Sequence, residues 1–200
     1  MGAYINYGDV NVFKEPYLHF HSKKFYNDEI FDLLEKWIKT TDIFVDMDGG
    51  FYKQSMSPVS ENNTPPELHF LFTDSFKSEI LKFVESYFNT SFNDVFYITI
   101  HKLIPGQFTD IHNDYHENPH SLKYGFTHRM ITYIDSEWSI EDNGLLNIYS
   151  CSEPNSFVHN FHPTGNSVSG LEFSQSSFHE VSRVQNKDRF TINYTFLSKK

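Results

Sequence analysis

Apolar residues recur along this chain at two different periods, and the change of period divides it. Behind Asn27, the residues Ile30, Phe31, Leu33, Leu34, Trp37 and Ile38 fall on one face of a repeat of about 3.6 residues. That pattern predicts a helix over about 28–39, with Asn27 as its cap. A second helix is expected over about 76–88, with Phe76, Ile80, Leu81, Phe83, Val84 and Phe88 on its apolar side and Asp74 or Ser75 as cap. Past Asn89 the period drops to two. Val95, Tyr97 and Thr99 alternate with Phe96, Ile98 and Ile100, Pro105-Gly106 makes a turn, and Phe108 to Asp114 begins the next strand. Further strands are expected at Met130 to Ile134, Leu145 to Tyr149, Phe157 to Phe161 and Ser167 to Phe173. Phe178 to Val184 and Phe190 to Phe196 read as a closing hairpin around Gln185 to Asp188, and the polar stretch 115–127 reads as a loop.

The N-terminal part is less regular. Residues 1–13 read as a tail or an edge strand, and Tyr17 to Phe20 as a short strand. From Asp46 to Pro66 the chain turns to Gly49-Gly50, serines, Asn62-Asn63 and Pro65-Pro66 without periodicity, which predicts a long loop. Long loops in compact domains are often functional, so this one is a candidate substrate lid, the plain alternative being an unstructured excursion. Two helices followed by some eight strands give an α+β order. At 200 residues, one domain spanning 1–200 is expected.

Composition narrows the partners. A formal net charge of −10 argues against a nucleic-acid backbone or an anionic membrane, both of which would repel the chain. A neutral or basic substrate is easier to reconcile with it. The 21 phenylalanines suit a sheet-rich interior, and the single Cys151 excludes an internal disulfide and fits a reducing compartment. Met1 to Val12 has no apolar core, and no later run approaches the roughly 20 apolar residues of a membrane span. A soluble, cytoplasmic protein is the expectation.

The chemistry concentrates in Thr109-Asp110-Ile111-His112-Asn113-Asp114. On a strand, alternate side chains share a face, so the His112 imidazole and the Asp114 carboxylate can close on one metal ion. His179, in Ser177-Phe178-His179-Glu180-Val181, offers a third ligand. Two histidines and a carboxylate that leave other positions open suit Fe(II), which must also take a co-substrate and dioxygen. Ten residues on stands Arg189, whose guanidinium binds carboxylates in a fork and suits a dicarboxylate such as 2-oxoglutarate. Thr191 can donate to the same carboxylate from two residues further on. The bland alternative for Arg189 is an exposed arginine paired with an acid. Among 11 histidines, His116 and His120 compete for the metal, but in an extended chain His116 lies about 13 Å from His112, too far to share an ion. His19, His21, His69, His101, His159 and His162 read as surface or merely hydrogen-bonded residues.

His112-x-Asp114, then His179, then Arg189-x-Thr191 resembles the iron and 2-oxoglutarate dependent oxygenases, in particular their prolyl 4-hydroxylase-like branch. The surroundings carry the same likeness in the same order: Pro105-Gly106, Tyr133-Ile134-Asp135-Ser136-Glu137-Trp138, Glu141-Asp142-Asn143-Gly144-Leu145-Leu146 and Pro163-Thr164-Gly165. The likeness covers about residues 95–197, with a weaker echo at Glu15-Pro16-Tyr17. It implies a double-stranded β-helix, or jelly-roll, with the N-terminal helices packed on one sheet. It implies Fe(II), 2-oxoglutarate and O2, with ascorbate as an accessory reductant, and hydroxylation of an amino-acid residue in a peptide or protein, or as a free or carrier-bound building block. Oxidative tailoring of another small molecule is the second reading, and a non-catalytic metal-binding jelly roll of cupin type the third. Two positions depart from the pattern. Leu103 stands where many relatives have a tyrosine that contacts the co-substrate, which leaves Tyr97 and Tyr133 as candidates for that role, and Asn143 replaces a turn glycine.

Overall fold

The computed structural model describes residues 3–200; Met1 and Gly2 of the expected tail lie outside them. The helix behind Asn27 is α1 (Asp28–Ile38). The Asn27 carboxamide oxygen accepts from the Ile30 amide at 2.9 Å, and Asp28 and Glu29 suit the positive end of the helix. Helix α2 (Asp74–Phe88) is capped by Thr73, one residue before the expected caps, and ends at Asn89 in the left-handed conformation. The two helices pack Leu34, Ile38, Phe76, Ile80 and Phe83, all fully buried, against Phe25, Tyr26, Ile192 and Tyr194 in one core. Among the described residues no helix is long and apolar enough to cross a membrane.

Twelve strands follow in chain order: β1 (Val10–Phe13), β2 (His19–Ser22), β3 (Val45–Asp48), β4 (Tyr52–Pro58), β5 (Tyr97–Leu103), β6 (Phe108–His112), β7 (His128–Tyr133), β8 (Leu146–Tyr149), β9 (Phe157–Phe161), β10 (Val168–Glu172), β11 (Phe178–Val181) and β12 (Arg189–Phe196). They pair in the order β1-β2-β10-β7-β12-β5-β4-β6-β11-β8-β9, with β3 beside β4. Every pairing is antiparallel. The sheet curls so that side chains from β5, β7 and β12 face those from β6, β8 and β11 across a cavity. This is the jelly-roll core expected from the motifs, with the helices on one of its sheets.

Three expectations are corrected. The 46–66 stretch is mainly a hairpin: β4 pairs through Ser55 to Pro58 with β5 and through Tyr52 and Lys53 with β6, so it ties the two halves of the sheet together. The strand was hidden because its buried face carries Ser55 and Ser57, while Tyr52, Gln54, Met56 and Pro58 on the other face line the cavity, so no row of core residues shows. The 178–196 segment is no hairpin, since β11 pairs with β6 and β8 while β12 pairs with β5 and β7. Strands β3 and β4 also separate the two helices, which the run of helices then strands did not anticipate, whereas the strands before α1 fall at or beside the expected positions.

Burial of neutral imidazoles gives the fold an acid sensitivity. Burial depresses His19, His21 and His128 to about 4 and His101 to about 3, against an ordinary 6.5. The unfolded chain takes up these protons near 6.5 and the folded chain does not, so stability is full above that pH and is lost as pH falls toward 4. Melting temperature is expected to drop between about pH 7 and pH 4.5, and to drop less in a His128→Phe variant. Equal slopes in the two proteins would contradict this.

Candidate metal centre and co-substrate pocket

His112 ends β6 and His179 lies on β11, where the two are direct cross-strand partners with ring centroids 4.4 Å apart. Each Nδ1 faces the carbonyl oxygen two residues back, Asp110 at 2.8 Å and Ser177 at 3.0 Å. A carbonyl only accepts, so Nδ1 carries the proton and each Nε2 keeps its lone pair for a metal. Asp114, two residues beyond the end of β6, brings Oδ2 to 3.7 Å from His179 Nε2. One ligand atom from each of the three lies within 4.8 Å of the others, the only such cluster among the described residues. Burial lowers the His179 pKa to about 4, with the nearby His112 adding to the effect, which keeps the imidazole free to ligate. Burial alone would raise Asp114, but Arg129, then His179 and His112, hold its carboxyl below the usual range. Two imidazoles beside a carboxylate are the donor set that ferrous iron takes. His116 is exposed in the following loop, where its Nδ1 accepts from the Asn118 amide, outside the cluster.

Arg189 opens β12, directly opposite Leu103 on β5. Only 5% of it is exposed, and its Nε and Nη2 are buried without a hydrogen-bond partner. An unpaired buried guanidinium is costly, and an acceptor-only carboxylate supplies what these donors lack. Burial works against its charge and the adjoining Tyr133 works for it; the guanidinium carbon stands 5.2 Å from the Tyr133 ring centroid. Thr191 pairs with both Tyr133 and His101, so these side chains share the inward face with Arg189. Tyr133 is fully buried beside Arg189, with its hydroxyl donating to Ser169 Oγ at 3.2 Å, and is not among the residues that line the cavity. Tyr97, the other tyrosine considered for that role, sits opposite Thr195, six positions along the strand at the mouth, and does not reach Arg189.

The cavity holds about 660 Å³ and runs from Arg189 to the His112–Asp114–His179 cluster. Several residues that shape it were not singled out as site residues from the sequence. His101 is half-buried on its wall, its Nδ1 donating to Gln54 Oε1 at 3.1 Å and its Nε2 accepting from the Thr99 hydroxyl at 3.0 Å. Asn193 lines the cavity with a buried Oδ1 that has no partner. Gly144, in the Glu-Asp-Asn-Gly segment, has φ +74°, and a Cβ there would meet Arg189 Cδ at 2.8 Å. The glycine thus clears the path of the arginine. Phe51, at the tip between β3 and β4, leans over His112 with ring centroids 5.5 Å apart.

Residues 98–197, half of the chain, match the profile of the 2OG-Fe(II) oxygenase superfamily. The chain belongs to that superfamily. The oxygenase therefore uses Fe(II), 2-oxoglutarate and O2, and its metal cluster and unpaired arginine fit both iron and a dicarboxylate. Its fold resembles that of a Pseudomonas putida prolyl-4-hydroxylase, at 14% identity and a TM-score of 0.71 over 91% of this chain and 93% of that one. It also resembles a Trichoplax adhaerens prolyl hydroxylase solved with a hypoxia inducible factor peptide fragment, at 13% identity and a TM-score of 0.69 over 90% and 83%. A viral collagen prolyl hydroxylase from Paramecium Bursaria Chlorella virus-1, solved with 2-oxoglutarate, matches at 13% identity and 0.64 over 89% and 94%. No curated protein matches the sequence of the oxygenase at a significant level.

Proposed function

We propose that this oxygenase hydroxylates an amino-acid residue, in a peptide or protein or as a free or carrier-bound building block, working as a single domain. His112, Asp114 and His179 hold the iron, and Arg189, assisted by Thr191 and Tyr133, holds the far carboxylate of 2-oxoglutarate. The observation that carries the reading is the buried Arg189, whose Nε and Nη2 lack partners, at one end of a cavity whose other end holds His112, Asp114 and His179. Bound iron and 2-oxoglutarate supply the oxidising chemistry that side chains lack. The chain's own part is to orient and to exclude water. Arg189 fixes one end of the co-substrate by charge and direction, the two Nδ1–carbonyl bonds aim the imidazoles, and the apolar walls Leu103, Ile131, Leu146 and Val181 keep the reacting region dry.

For the substrate, the mouth is aromatic, with Phe51, Tyr52, Tyr97, Tyr124 and Phe126 around it. The lone acceptor Asn193 Oδ1 cannot be met by 2-oxoglutarate, which has no donor when ionised, and so favours a substrate group with an N–H or O–H. Together with the −10 charge this supports a neutral or basic amino-acid unit. The peptide-bound fold relative supports a peptide context, while the single cysteine supports a cytoplasmic setting. Superfamily membership disfavours a cupin-type binder without 2-oxoglutarate. A succinate-release screen over free amino acids, prolyl peptides and basic peptides tests the reading; stimulation by acidic or non-amino-acid compounds alone would replace it with small-molecule tailoring.

The lid role belongs to the hairpin tip rather than to a loose loop. Trimming 50–62 would remove a strand that joins the sheet halves, so a point change at the tip is the cleaner test. Phe51→Ala is expected to lower substrate-stimulated turnover roughly 2- to 10-fold, the scale of one aromatic contact, with uncoupled 2-oxoglutarate decarboxylation little changed. Equal losses in both activities would remove the tip from substrate binding.

A further inference from the structure

We propose that Arg129 is the positioning residue for Asp114, completing a set in which each metal-binding side chain has one fixed partner behind it; this rests on the reading of Asp114 as a ligand. The two histidines are aimed by main-chain carbonyls, through His112 Nδ1 to Asp110 and His179 Nδ1 to Ser177. Asp114 has no such support from a strand, since β6 ends at His112. The backbone beside it is tied down: Asn113 Nδ2 donates to the Gln175 carbonyl at 3.0 Å, and the Ser177 hydroxyl donates to Asn113 Oδ1 at 3.2 Å. These contacts place the Asp114 backbone near His179 but leave the rotation of the carboxylate open. Arg129 closes it. Its Nη1 donates to Asp114 Oδ2 at 2.7 Å, the only hydrogen bond to that carboxylate among the described residues.

The arginine is itself held. It lies on β7, opposite Thr195 of β12 and Leu171 of β10, and its guanidinium carbon stands 5.2 Å from the Phe173 ring centroid and 5.9 Å from that of Phe126. Side-chain exposure of 20% for Arg129 and 23% for Asp114 leaves little water to compete for the pair. A planar guanidinium resting against two aromatic rings has few conformations to lose, so it is a stiff support for a carboxylate on a loop. The same contact also spans the 115–127 loop and joins its two ends.

A positive charge beside a metal ligand has two opposite consequences, and their balance separates this proposal from its rival. If Arg129 positions the carboxylate, removing it weakens metal binding, as loss of an outer partner does by about 10- to 100-fold. If Arg129 merely competes with the metal for the carboxylate, removing it tightens binding. The test is anaerobic titration with Co(II), read by its visible absorption, on wild type, Arg129→Gln, Arg129→Lys and Asp114→Ala. Arg129→Gln is expected to weaken Co(II) binding about 10- to 100-fold with a changed spectrum, and Arg129→Lys to recover part of the affinity. Unchanged or tighter binding in Arg129→Gln overturns the proposal. Should that variant fail to fold, Arg129→Lys decides: several-fold weakening supports the proposal and wild-type affinity overturns it. Wild-type binding in Asp114→Ala would instead sink the reading of Asp114 as a ligand.

Discussion

Replacing His179 by alanine is expected to abolish turnover and to strip the purified protein of stoichiometric iron. With His112, Asp114 and His179 as the proposed ligands, the loss of one leaves two, too few to fix the metal's geometry against water. His179 is 3% exposed and faces its cross-strand partner His112, so its loss enlarges the cavity without breaking a strand pairing. The fold is expected to persist by circular dichroism. His112→Ala and Asp114→Ala should behave alike, whereas His116→Ala, altered in an exposed loop, should keep both iron and activity. Bound iron and turnover measured together on these four variants check the assignment; an active His179→Ala protein would end it.

Arg189→Ala is expected to raise the apparent KM for 2-oxoglutarate by tens- to thousands-fold, with iron content unchanged. Loss of one partner from a buried charge pair costs about 2–5 kcal/mol, which sets that range. Among the described residues no lysine lines the cavity, and Arg129 is the only other arginine there. Lys102 pairs with Asp188 at 3.0 Å, Arg183 donates to the Gly106 carbonyl and stacks on Phe108, Lys123 lies over Tyr124, and Arg129 holds Asp114. Steady-state kinetics in 2-oxoglutarate give the answer, and an unchanged KM would assign the carboxylate to a different group.

The order of chemistry-bearing residues was legible in the sequence because they sit on regular strands, where spacing translates directly into facing. Arg189-x-Thr191 is a short, local pattern of that kind, whereas His112-x-Asp114 keeps only its histidine on the strand, since β6 ends at His112. Both helices were equally legible, since their apolar faces are long and their caps, Asn27 and Thr73, lie at or beside the expected positions. What stayed hidden depends on contacts distant in the chain. Strand β4 lacks an apolar row because its inward side chains meet a cavity instead of a core, so periodicity had nothing to detect. The separation of β11 from β12 into different sheet halves is set by pairing partners up to about 100 residues away, as with Thr195 and Tyr97. Arg129 had no signal in the sequence, because nothing local to it indicates that it bonds Asp114, 15 positions earlier. Gly144 was the exception that had a signal: a turn glycine within a family-like segment, kept because Arg189 passes over it.

The central claim is that oxygen enters an amino-acid unit as 2-oxoglutarate is consumed. It is tested most directly by turning over the compound that best stimulates succinate release under isotopically labelled dioxygen and weighing the product by mass spectrometry. The account predicts one labelled oxygen atom gained per succinate formed, abolished in His179→Ala. Succinate formed in step with substrate consumption but with no labelled oxygen in the product would contradict hydroxylation as the outcome.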